Sequence, residues 1–84
     1  MIDFGKSKGA YVRARRWHRT QEFTELPDGQ LRLTFTCRNL QPIVSWVLEW
    51  GPHARAIEPV ELIDSVVSEL RQALARYPKN DDKK

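Results

Sequence analysis

The chain has 84 residues, 40% of them apolar and 30% charged, which describes one ordinary globular domain and argues against a disordered, collagen-like or membrane-spanning chain. A domain of this size buries only about 60–65% of the surface its unfolded form exposes, so its stability is modest. The net charge of +3 is uneven: residues 1–21 carry Lys6, Lys8, Arg13, Arg15, Arg16 and Arg19 against Asp3 alone, residues 22–58 are net acidic, and residues 59–84 balance. A local positive field of this kind either attracts phosphates and acidic partners or is a solvated helix face.

No apolar run approaches the ~20 residues that span a bilayer, and the first residues lack the order of a secretion signal, so a cytoplasmic location is expected. Cys37 is the only cysteine, which forbids an internal disulfide. With only His18 and His53 beside it, a four-ligand zinc site is not expected, nor is any cofactor. Cys37 reads as a small, reduced core residue.

Taken in chain order, Ile2 and Phe4 alternate around Asp3 as the end of a strand, and GKSKG reads as a loop. Ala10 to Trp17 reads as a short helix, because Ala10, Ala14 and Trp17 share a face. Residues 22–26 and 30–37 flank Pro27, Asp28 and Gly29, and Leu31, Leu33, Phe35 and Cys37 alternate strictly with polar residues. This predicts a β-hairpin whose second strand is half buried. Asn39 as N-cap, Pro42 in the first turn and Gly51 just past the end predict the next helix. Seven of eleven positions from Leu40 to Trp50 are apolar, more than one face can hold, so this helix is expected to touch something beyond its own sheet. A short strand carrying Ala56 and Ile57 stops at Pro59. A final amphipathic helix from about Val60 to Tyr77 follows, and Pro78 closes it. Residues 79–84 read as a disordered polar tail, and residues 1–78 as one domain.

The resulting order predicts an α+β, ferredoxin-like βαββαβ sandwich with a truncated first strand and an added C-terminal helix. The first strand is central in that plan, yet here it has at most four residues, where roughly five or six are usual. The expectation is therefore that the chain is the tail piece of a longer one.

YVRARRWHRTQ, the PDG hairpin, LRLTFTCRN, WVLEWG, and AIEP before a helix ending in ARY together resemble the C-terminal extension (WCX) domain of bacterial WYL-domain transcriptional regulators. The resemblance covers about residues 4–77, and its W-H-x-[ST]-Q step and W-x-x-x-W-G helix end are the distinctive parts. Ala14 stands where an acidic residue is common and Arg19 where proline is common; both changes make the patch more positive. The resemblance implies the ferredoxin-like fold. It also implies partners in the parent regulator: a helix-turn-helix or winged-helix DNA-binding domain and a WYL effector-sensing domain.

The candidate binding residues are Arg13, Arg15, Arg16, His18 and Arg19, because guanidiniums this closely spaced can hold phosphate oxygens in pairs of hydrogen bonds. Trp17 and Gln21 read as structural: the ring packs on the sheet, its N–H needs a partner, and His18, Thr20 and Gln21 offer hydrogen bonds where helix turns to strand. Trp46 and Trp50 read as core or interface residues. Arg32 and Arg38 could extend the basic patch only on the opposite side of the sheet. No nucleophile motif or phosphate loop supports catalysis, so no catalytic residue is assigned and an enzyme is not expected. The expected function is a regulatory and dimerisation module that contributes to sensing a nucleotide or short nucleic acid. A free-standing nucleic-acid binder using the same Arg/Trp patch is the alternative. A homodimer is expected from the short first strand or the wide apolar helix.

Overall fold

The computed structural model describes residues 1–78. Ile2–Phe4 form β1, and all three residues are buried. Short as it is, β1 lies inside the sheet, antiparallel to β3 (Leu31–Thr34) on one side and to β4 (Ala54–Ala56) on the other. The second strand, β2 (Glu22–Glu25), pairs antiparallel with the far side of β3, giving the order β2-β3-β1-β4. The described residues are thus α+β, a four-stranded antiparallel sheet with three α-helices.

Register sorts the side chains into two faces, because residues paired across strands point the same way and neighbours along a strand point oppositely. Phe23, Leu33, Ile2 and Ala56 make one apolar row, and Leu31, Phe4 and Ala54 another. Between them Thr24, Arg32, Asp3 and Arg55 form a polar row on the opposite face. The apolar rows meet Val12 of α1 (Gly9–Arg13), Val44 and Val47 of α2 (Gln41–Glu49), and Leu62 and Val66 of α3 (Val60–Ala75) in one buried cluster.

The hairpin forms as its sequence predicts. Gly29 takes φ +90°, its N–H donates to the Leu26 carbonyl at 3.0 Å, and Leu26 N–H donates to Gln30 O at 2.9 Å. Its second strand is shorter than expected and stops at Thr34, because the Thr36 N–H donates to the Thr20 hydroxyl rather than to a neighbouring strand. Gly51 takes the left-handed conformation expected just beyond α2, with φ +59°. The cap of α2 is Leu40 rather than Asn39, although Asn39 Oδ1 still accepts the Gln41 N–H at 3.1 Å. The final helix ends at Ala75, two residues before Tyr77. Cys37 is a free thiol, but it is only half buried and donates to the Asn39 carbonyl, so it is not a core residue. The expected tail, residues 79–84, lies outside the described residues.

One expectation needs a larger correction. The helix predicted for Ala10 to Trp17 ends at Arg13, and residues 14–21 form a loop. The apolar surplus of α2 does reach beyond the sheet, to α3 and to the ring of Trp17, while Trp46 and Trp50 also pack edge-on against Phe4, at ring-centroid distances of 5.6 and 5.1 Å. The large apolar side chains left exposed are Tyr11 and, on or beside α3, Val60, Val67, Leu70, Leu74 and Tyr77. Among the described residues no helix is long and apolar enough to cross a membrane.

Candidate functional site

The loop after α1 is shaped by one amide side chain. Gln21 Oε1 accepts the backbone N–H groups of Trp17 and His18, the latter at 3.0 Å, while its Nε2 donates to the Arg15 carbonyl at 3.0 Å. These are backbone groups that a continuing helix would have satisfied, and buried ones must be paired somehow. The side chain of Gln21 thus replaces the last turn of the predicted helix. Thr20 secures the other end: its hydroxyl lies 2.9 Å from His18 Nδ1 and accepts the Thr36 N–H, tying the loop to the chain just beyond β3. The His18 ring stacks on Phe35, centroids 5.2 Å apart.

Held this way, Trp17 turns back over the helix it follows. Its indole N–H donates to the Val12 carbonyl at 2.8 Å, which supplies the partner a half-buried indole requires. The ring packs against the buried core and on other aromatic rings: Trp46 at 5.2 Å, Trp50 at 5.9 Å and Tyr11 at 6.3 Å. Tyr11 and Trp50 close the circle at 5.9 Å. These rings wall an open cavity of about 490 Å³, whose remaining lining is Ser7, Lys8 and Glu49. A smaller recess of about 230 Å³, lined by His18, Phe35, Pro42 and Ile43, shares Trp17 and Trp46 with it. A pocket of several hundred Å³ with apolar walls and a few polar groups is the usual form of a small-ligand site.

The five basic candidates have different surroundings. Arg13 is ion-paired with Glu25 of β2. Arg15 lies over the Tyr11 ring, its guanidinium carbon 4.1 Å from the centroid, so it stands beside the cavity in a cation–π contact. Arg16 and Arg19 are exposed and make no hydrogen bond or ion pair among the described residues. His18 is partly buried on Phe35. Across the sheet, Arg32 is engaged by Asp3, whose hydrogen bonds hold the guanidinium pKa above its ordinary value. Lys8, Tyr11 and Glu49 are cavity residues that the sequence reading missed. The four-residue spacing of Trp46 and Trp50 was the available signal, since it places both rings on one side of a helix. Among the described residues no group of three or more His, Cys, Asp or Glu could hold a metal ion.

Sheet, helices and cavity together define a small α+β module with an open, aromatic-walled cavity. The profile of the WCX domain matches residues 1–74, and the chain belongs to the WCX domain family. It is therefore a module associated with WYL-type regulators. A comparison with curated proteins finds no match.

Proposed function

We propose that this chain is the regulatory and self-association module of a bacterial WYL-family transcriptional regulator, and that its aromatic cavity forms part of a site sensing a nucleotide or short single-stranded nucleic acid. The observation that carries this reading is the meeting of cation and cavity at Tyr11: its ring lines the cavity with Trp17, Trp46 and Trp50, and Arg15 rests on it. A base stacked on an indole would contribute about 1–3 kcal/mol, and its phosphate would reach toward Arg15 and Lys8, with Arg16 and Arg19 next along the loop. The module binds and does not catalyse. In this reading it packs against the WYL and helix-turn-helix domains of the parent regulator and associates as a homodimer. The strand order, with β1 between β3 and β4, supports the ferredoxin-like plan, to which α3 is an addition.

Tryptophan fluorescence tests the proposal directly. Titration at low salt with a short single-stranded DNA, and separately with a mononucleotide, is expected to quench the emission, and added salt to weaken the effect. Arg15→Ala with Arg16→Ala is expected to weaken binding about tenfold, the loss of one or two charge-assisted contacts. Unchanged emission with both ligands would leave packing as the only role of the aromatic cluster.

A further inference from the structure

The third helix carries an apolar stripe that the domain's own core leaves free. Val60, Ile63, Val67, Leu70 and Leu74 recur at alternating steps of three and four residues, and Tyr77, just beyond the Arg76 cap, continues the series. That is the a/d spacing of a helix that meets another helix along its length. Leu62 and Val66, which α3 gives to the core, lie about a quarter-turn away around the helix. The stripe is open: Val60 is 62% exposed, Leu70 51%, Leu74 73% and Tyr77 71%. Ile63 and Val67 are partly covered by the fold, Val67 being 36% exposed.

We propose that this stripe is the contact between two copies of the chain, their α3 helices pairing antiparallel about a two-fold axis. The inference rests on the self-association proposed above and gives it a surface. Centred between Val67 and Leu70, antiparallel pairing sets Val67 against Leu70 of the second copy, Ile63 against Leu74, and Val60 against Tyr77, so every position of the stripe is used. A two-fold contact of this kind is self-complementary by construction.

Charge selects the direction. In the antiparallel arrangement the flanking positions face their own kind, which brings Asp64 opposite Arg71 of the second copy and Arg71 opposite Asp64. In a parallel pair Arg71 would face Val66, which is already in the core. Opposed helix dipoles also favour the antiparallel pair. Asp64, Val67, Ser68 and Arg71 border a shallow groove on this side of α3, a place where side chains of a second helix can seat.

Analytical ultracentrifugation of the full chain tests the pairing. The wild type is expected to form a concentration-dependent dimer, and Leu70→Glu with Leu74→Glu to raise its dissociation constant more than tenfold. Asp64→Arg alone or Arg71→Asp alone is expected to weaken the dimer about three- to tenfold by replacing two attractions with repulsions, and the double reversal to restore it. All four positions are exposed, so the fold tolerates the changes, and unaltered tryptophan emission and far-UV circular dichroism verify that. A dimer unaffected by Leu70→Glu with Leu74→Glu would keep self-association but overturn this surface. A double reversal that stays weak would overturn the antiparallel direction. A wild type monomeric at a hundred micromolar or so would remove self-association itself and leave the stripe to another domain of the parent regulator.

Discussion

Arg32 holds Asp3 by two hydrogen bonds across the β1–β3 pairing, Nε to Oδ1 at 2.7 Å and Nη2 to Oδ2 at 2.9 Å. The two side chains sit directly opposite each other on the face of the sheet away from the helices, and Asp3 is only 8% exposed. Arg55 occupies the same row on the other flank of Asp3, so a carboxylate in the centre of the sheet is bracketed by cations.

Removing Arg32 is therefore expected to harm the fold through the residue left behind. Arg32→Ala strands a largely desolvated carboxylate, a penalty of about 1–3 kcal/mol for Asp3. The double variant Asp3→Ala with Arg32→Ala is expected to lose less than the sum of the single changes. Urea denaturation of the three variants measures this; strict additivity would mean the ion pair contributes nothing beyond its separate side chains.

Gln21 offers the cleanest dissection of the loop. Gln21→Ala frees the N–H groups of Trp17 and His18 and the carbonyl of Arg15, at an expected cost of about 1–3 kcal/mol. In a domain of this size each kcal/mol lowers the melting temperature by about 4–8 °C. Gln21→Glu keeps the acceptor and loses only the donor to Arg15, so it is expected to melt between the wild type and Gln21→Ala. Because the loop carries Trp17 into the cavity wall, the alanine variant is also expected to shift tryptophan emission to longer wavelength. A lowered melting temperature with unchanged emission would separate loop stability from cavity geometry.

The hairpin turn titrates in acid. Backbone and side-chain hydrogen bonds from Gln30 lower the pKa of Asp28 below its ordinary value, with Oδ1 accepting the Gln30 N–H at 3.1 Å and Oδ2 the side-chain amide at 2.7 Å. A carboxyl whose folded pKa is depressed contributes stability above its unfolded value of about 3.9, and that contribution disappears as pH falls through the folded pKa. Asp28→Asn is expected to be the flatter of the two in a plot of stability against pH below about pH 4. The effect is small because the carboxylate is fully exposed. Parallel slopes in acid denaturation series would show that the turn does not couple to protonation.

Much of this architecture can be read from local pattern. Strict alternation at Leu31 and Leu33, Gly29 after Pro27 and Asp28, Gly51 after an apolar run, and three- and four-residue steps beyond Val60 each express a preference that a short segment satisfies by itself. Those signals gave α+β class, element order and the hairpin. The signature around Trp17 gave the family. The end of α1 was not legible in the same way, since residues 14–17 are adequate helix formers, and only the amide of Gln21, four to six residues on, draws their backbone groups out of the helix.

What only the tertiary structure decided is which charged and aromatic residues are already engaged. Arg13 meets Glu25, and Asp3 meets Arg32 across 29 positions of sequence, because strand pairing and helix packing carry distant segments together. The surplus apolar surface of α2 is answered by Trp17 and Phe4 from two other segments. Sequence alone counts six arginines and three tryptophans between Arg13 and Trp50 as free chemistry; long-range contacts determine which of them remain free. The positive field and the periodic stripe of α3 are inherent in the chain, whereas the cavity exists only once the loop, α1 and α2 converge.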